Sequence, residues 1–265
     1  MLRSLWTAAT GMKGQQLNID TISNNLANVN TTSYKAQRLE FKDLLYETIK
    51  KSNFTDGQGK PVNLEVGHGV MASATTRDFK NGNVMETQNP LNVAIDGIGF
   101  FAIEMPNGEL KYTRDGSFKL SVDDDERTIT TANGYFVTDE DGNRIVIEEE
   151  MTDLTIDDMG NITVKDEDEE IIEIGRLRMV RFLNPEGLLS DGRNLYNVTD
   201  ASGEAIDIDS DEMEGRILQG YLEMSNVQIV EEMIKLITAQ RAYETNSKTI
   251  QASDEMLQQT NNLRR

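Results

Sequence analysis

The chain has no cysteine, so disulfides, thiolate metal sites and thiol nucleophiles are excluded together. It has one histidine, His68, set between Gly67 and Gly69. Every Ser-His-Asp or imidazole–metal site would need that single residue, which is read instead as part of a surface loop. Aromatic residues are scarce at 6%, which predicts a modest core. Long apolar runs are missing as well. The opening Met1-Leu2-Arg3-Ser4-Leu5-Trp6 leads into Thr7, Thr10 and Lys13, which break any signal-peptide core of about 7–15 residues. No run approaches the ~18 apolar residues of a membrane helix. The expectation is a chain without membrane insertion. If it leaves the cytoplasm, it does so without a cleaved signal peptide.

Acid is abundant. Asp and Glu number 46 against 26 Lys and Arg, a net charge of −20. Such a chain is repelled by nucleic-acid phosphates and anionic lipid, so no nucleic-acid partner is expected. The acid gathers in Asp123–Glu126, Glu148–Glu150 and Asp166–Glu170. Calcium loops are the obvious test. Asp207, Asp209 and Asp211 alternate correctly, but Glu212 stands at the glycine position and Leu218 at the closing glutamate. Asp139, Asp141 and Asn143 with Glu150 come closer. Arg144 then occupies the glycine position, and a hairpin turning at Asp141-Gly142 explains the run better. Gly97-Ile98-Gly99 lacks the third glycine of a dinucleotide fingerprint. No catalytic, cofactor-binding or metal-binding residue is assigned, and the chain is read as no enzyme.

Periodicity divides the chain into an α+β plan with four zones. Residues 1–33 form an N-terminal helix. Leu5, Ala8, Met12, Gln15, Ile19, Ile22, Leu26 and Val29 alternate steps of three and four, the seam of a coiled coil. Residues 34–71 read as an extended connector, with a short apolar stretch at Phe41, Leu44, Leu45 and Ile49. Turn chemistry follows at Thr55–Pro61. Residues 72–220 read as a β-rich outer domain. Asn92–Ile95, Gly99–Ile103, Tyr135–Val137 and Arg144–Ile147 are candidate strands. Asn107-Gly108, Asp115-Gly116, Asn133-Gly134, Asp141-Gly142, Asp191-Gly192 and Ser202-Gly203 are candidate turns. Residues 221–265 form a C-terminal coiled-coil helix. Ser225 and Gln228 have capping-box spacing, and Ile229, Leu236, Tyr243, Ile250 and Leu257 recur every heptad with Met233 interleaved.

Closing a helical pair over so long an insertion costs roughly 4–5 kcal/mol. Gln15, Gln240, Ser247 and Asp254 interrupt its seam. The termini are therefore expected to complete their burial against neighbouring copies. The first helix also carries little charge on its outer positions, as a helix packed among helices would.

Several runs together resemble the flagellar rod and hook protein family. They are Ser23-Asn24-Asn25-Leu26-Ala27-Asn28-Val29-Asn30-Thr31, Asn89–Phe101, Tyr112-Thr113-Arg114-Asp115-Gly116-Ser117-Phe118, Gln219-Gly220-Tyr221-Leu222-Glu223-Met224-Ser225-Asn226-Val227 and Gln240-Arg241-Ala242-Tyr243-Glu244. Arg3–Trp6 and Phe41–Tyr46 are most similar to its distal rod branch. Hook proteins usually have a longer middle. Ser33-Tyr34-Lys35 departs from the family's usual Gly-Phe-Lys, and the acidic stretch near 123–173 matches no family motif. The resemblance implies a structural subunit of the basal body that passes unfolded through the flagellar type III export apparatus. It implies a helical homopolymer, a hollow shaft carrying motor torque to the hook. Other rod proteins and the hook protein are implied partners, and ring proteins around the rod are a further candidate. The implied assembly seam is Leu5, Met12, Ile19, Ile22, Leu26, Val29, Ile229, Met233, Leu236, Tyr243, Ile250 and Leu257. Phe41 and Leu45 fit the family's export-gate pattern, and equally fit a pair packing in the connector core. Another axial protein of the family is the alternative, and a β-rich secreted adhesin or enzyme a remoter one.

Overall fold

A computed structural model describes residues 2–51, 54–55, 58–59, 63–123, 126–147, 152–166, 170–208 and 215–263. The chain is α+β, with a helix near each end and strands between. It divides into two units. Unit 1 gathers residues 1–27, 37–77 and 228–265; unit 2 gathers residues 28–36 and 78–227.

Unit 1 holds helix α1, Leu2–Ala27, and helix α2, Ile229–Asn262. The segment expected as an extended connector is largely paired strand. Gln37–Asp43 runs antiparallel to Val70–Arg77, with a bulge between Glu40 and Phe41. Tyr46–Lys50 pairs with Leu64–Gly67, and Phe54–Thr55 with Gln58–Gly59. The strands lie on α1 through glycines. A Cβ on Gly14 would come within 3.1 Å of the Phe41 ring. Gly69 has φ +109°, and a Cβ there would sit 2.1 Å from Thr10 Oγ1. Only glycine allows that backbone to lie so close.

Helix α2 begins later than the capping-box spacing suggested. Tyr221–Glu223 is a strand, and Gln228 caps the helix without a side-chain bond. The Ser225 hydroxyl instead accepts the Val227 N–H at 3.3 Å, closing a local turn.

The strands of unit 2 pair antiparallel. A ten-stranded sheet runs through Lys119–Asp123, Glu126–Thr130, Phe136–Val137, Phe100–Glu104, Leu110–Thr113, Leu195–Asn197 and Leu189–Gly192, with three short strands attached. Thr152–Ile156, Asn161–Lys165 and Ile171–Arg176 form a separate meander. Val93–Gly97 pairs with Gly215–Gln219, and Val84–Glu86 with Tyr221–Glu223, so distant parts of the sequence close on each other. The main core joins Val93, Ile95, Phe101, Phe118, Ile162 and Ile217 with their neighbours. A second cluster sets Phe79, Phe100, Phe182, Tyr112 and Tyr196 edge to face. Burying such a side chain fully stabilises by about 1.5–3 kcal/mol. The turn dipeptides behave as expected at Gly142, where φ is +83°. Gly116 is needed for a different reason: a Cβ there would lie 1.8 Å from the Val93 carbonyl oxygen.

Candidate assembly interface

Within unit 1, α1 and α2 lie antiparallel. Ser4 and Ser253 hydroxyls are 3.3 Å apart. A Cβ on Gly11 would reach within 2.9 Å of Asn246 Nδ2. Asn25 Nδ2 donates to Glu232 Oε2 at 3.1 Å. Ser4, Gly11 and Asn25 fall at heptad steps, and so do Ser253, Asn246 and Glu232. The closest approach between the helices is thus made by small and polar residues, with Ala8, Ile22 and Ala239 buried beside them. Small side chains let two backbones come near each other and leave little apolar area to bury.

Asn25 is the most heavily used of these. Its Oδ1 accepts the Gln37 N–H at 2.8 Å and its Nδ2 donates to the Gln37 carbonyl at 2.8 Å. One side-chain amide therefore pairs with Gln37 as a neighbouring strand would, while also bonding Glu232. Lys235 Nζ reaches the other Glu232 oxygen at 2.6 Å. Asn25 and Glu232 are both buried, so the set fixes the relative positions of α1, the following strand and α2.

The large apolar residues of α2 lie elsewhere. Ile229, Val230, Met233, Ile234 and Ile237 are all exposed. At 3.6 residues per turn their stripe points roughly 150° away from the face that meets α1. Of the twelve residues expected at the assembly seam, Ile22 is buried. Leu5, Met12, Ile19, Leu26, Val29, Leu236, Ile250 and Leu257 are half-buried, and Ile229, Met233 and Tyr243 are exposed. Val29 lies beyond α1, in unit 2. Phe41 packs on Gly14, whereas Leu45 is 87% exposed. A groove of about 360 Å³ in unit 1 is lined by Leu17, Leu44, Val70 and Met71.

Unit 2 buries a charged cluster. The Glu223 carboxylate accepts Lys35 Nζ at 2.7 Å, the Gly82 N–H at 2.9 Å and Arg114 Nε at 3.0 Å. Arg114 also donates to the carbonyls of Gly99, Ile95 and Gly97 and to Asn81 Oδ1. Burial pulls the Lys35 ammonium down to about 8, and the Arg114 charge adds to that against the opposing pull of Glu223. Burial pushes the Glu223 carboxyl up. The charges of Arg114 and Lys35, with their hydrogen bonds and that of Gly82, outweigh it and hold the carboxyl below its ordinary value.

His68 is exposed, with Nδ1 3.0 Å from the Leu45 carbonyl. Asp139 closes the expected hairpin by accepting the Asn143 N–H at 2.7 Å. Asp207 is occupied by Arg178 at 2.7 and 3.1 Å. Glu150, Asp209, Asp211 and most of the acidic runs fall outside the described residues. Among the described residues no group of His, Asp or Glu could hold a metal ion, and no helix is long and apolar enough to cross a membrane.

Sequence reading did not assign roles to Asn25, Lys35, Arg114, Glu223, Asn226 or Glu232. Arg114 and Glu223 stand in runs that are largely polar or turn-forming, Tyr112–Phe118 and Gln219–Val227, so no break in an apolar pattern marked them.

Comparison with known proteins matches three stretches. Residues 5–35 match the flagella basal body rod protein family. Residues 94–164 match the flagellar hook protein FlgE/F/G D1 domain, and residues 218–263 the flagellar basal body rod FlgEFG protein C-terminal family. Full-length relatives include the flagellar basal-body rod protein FlgG of Borreliella burgdorferi, 47% identical over all of both chains. FlgG of Caulobacter vibrioides is 43% identical over 99% of this chain and 100% of its own. FlgG of Bacillus subtilis is 35% identical over all of both.

Proposed function

The chain belongs to the flagellar basal-body rod protein family, as a structural subunit and not an enzyme, and we propose that its copies stack helically through α1 and α2. The product is the hollow distal shaft that carries motor torque to the hook. Its terminal helices pair as a coiled coil and line an inner tube with those of neighbouring copies. Residues 72–220 lie outside it. The chain reaches the assembly site through the flagellar type III export apparatus. Other rod proteins and the hook protein meet the two ends of the shaft, and ring proteins meet its side.

The observation that carries this reading is the apolar stripe of α2. Ile229, Val230, Met233, Ile234 and Ile237 are exposed on the side of the helix away from α1. A contiguous apolar face of this kind marks a contact surface. The occupant is the helical face of a second copy, since this family builds rods from repeated subunits. Ile234 is 59% exposed, so Ile234→Asp should leave the isolated fold intact. In the polymer it would bury an unpaired carboxylate at every subunit contact. In cells lacking the native rod subunit, the variant should be made and exported at normal levels. It should build no shaft and restore no swimming. Swimming equal to that with the unaltered chain would overturn the stacking surface.

A further inference from the structure

The chain leaves unit 2 after Ala36, returns at Asp78 and leaves again after Val227. Asn226, on the last of these segments, has a side chain that touches the other two. Asn226 Oδ1 accepts the Ala36 N–H at 2.8 Å. Its Nδ2 donates to the carbonyls of Asp78 at 2.7 Å and Lys80 at 3.2 Å. Its own N–H donates to the Tyr34 carbonyl at 3.3 Å, and the Asp78 N–H donates to the Ala36 carbonyl at 2.9 Å. Glu223, on the same stretch, repeats the pattern. Its carbonyl accepts the Ser33 N–H at 2.8 Å, and its carboxylate holds Lys35 and the Gly82 N–H.

Building on the rod reading, we propose that Asn226 is a staple joining these three crossings into one anchor. A pull or twist entering unit 2 along any one strand is then shared among all three. The chemistry selects asparagine. The site needs one acceptor and two donors on a short planar group. Aspartate supplies only acceptors when ionised and would face two carbonyl oxygens. Alanine supplies neither. A subunit that transmits torque meets shear at these crossings, and three linked segments share a load that one would otherwise carry alone.

The experiment uses the full chain carrying Asn226→Ala and, separately, Asn226→Asp. In hydrogen exchange on the isolated protein, Asn226→Ala should speed exchange of the Ala36 amide by about two- to tenfold, the loss of one hydrogen bond. Amides of the Val93–Gly97 and Gly215–Gln219 ladder should keep their native rates. Asn226→Asp keeps an acceptor, so its Ala36 amide should stay protected. In cells lacking the native subunit, Asn226→Ala should support swimming in dilute buffer and lose it in a viscous medium. The unaltered chain should support both. An unchanged Ala36 rate in Asn226→Ala would overturn the staple. Faster exchange spread through the ladder would also overturn it, by showing a general loss of stability. Faster exchange at Ala36 with normal swimming in viscous medium would overturn load sharing while leaving the rod reading intact. Failure of the unaltered chain to build a rod would instead remove the rod reading, and load sharing with it.

Discussion

Unit 2 has a core of large side chains: Phe100, Phe101, Phe118, Ile162 and Ile217 are at most 2% exposed. In unit 1 the five apolar residues opening α2 are between 47 and 71% exposed. What its helices bury is mostly small or polar, Ala8, Asn25, Glu232, Ala239 and Ser253, with Ile22 the one large apolar side chain among the described residues. Unit 2 therefore obtains its stability within one chain. The helical pair fixes a register with hydrogen bonds and leaves the apolar stripe of α2 exposed. A subunit that must fold and also polymerise needs this division. A helix pair that satisfied its own apolar face would have little reason to add a neighbour.

The sharpest way to break the contrast is at Glu223. Glu223→Ala leaves Lys35 and Arg114 buried without their carboxylate, which should destabilise by about 3–5 kcal/mol. Denaturant unfolding followed by near-ultraviolet signals of the unit 2 aromatics should show a much lower midpoint with an unchanged slope. The native carboxyl is held below its usual value, so folding binds fewer protons than unfolding there. Its contribution is present above its unfolded value of 4.5 and lost as pH falls through the lower folded one. The acid limb of the stability profile should be flattened in Glu223→Ala. A midpoint within experimental error of the native protein would mean that unit 2 does not depend on its buried charges.

The corresponding change in unit 1 should be smaller. Asn25→Ala removes the bonds to Gln37 and Glu232, and buried groups left unpaired cost about 1–3 kcal/mol. The loss should appear as faster hydrogen exchange at the Gln37 amide and in α1, with unit 2 melting as before. Loss of both units together would show that they unfold as one and would remove the contrast.

Much of unit 2 was legible because local chemistry decides it. Asn133-Gly134 and Asp141-Gly142 mark turns whatever lies around them, and strands fall between such marks. The existence of α1 was legible from its period, but its end was not: the seam pattern ran on to Val29, and the helix stops at Ala27. The face along which α1 meets α2 was not legible from hydrophobicity. Leu5, Met12, Ile19 and Leu26 stand out as a seam, while the short contacts fall at Ser4, Gly11 and Asn25, one position earlier in each heptad. Apolar periodicity reports where apolar surface will be buried, by this chain or another. It does not say which partner comes nearest. The strands within 37–77 escaped for a related reason. The residues of Tyr46–Lys50 are all exposed, so no inside–outside alternation was there to be read.

The smallest effect concerns the segment that follows α1 into unit 2. Ser33 is a non-glycine residue with φ +53°. A left-handed conformation costs a non-glycine residue about 1–2 kcal/mol. In return, the Ser33 hydroxyl donates to the Arg114 carbonyl at 2.7 Å, a buried bond that glycine could not make. Such a bond contributes about 0.5–1.5 kcal/mol net. The two terms nearly cancel, which is how serine is tolerated at this position. Ser33→Gly relieves the backbone and loses the bond, so stability should move by less than about 1 kcal/mol. Ser33→Ala keeps the strain and still loses the bond, and should destabilise by about 1–2 kcal/mol. The pair separates the terms when both are measured by denaturant midpoint at constant slope. If Ser33→Ala matches the native protein, the hydroxyl contributes nothing and Arg114 is held by its other partners. If Ser33→Gly is as damaging as Ser33→Ala, no backbone strain was there to relieve. The expected order, alanine below glycine with glycine near native, would tie the segment after α1 to the buried charges of unit 2.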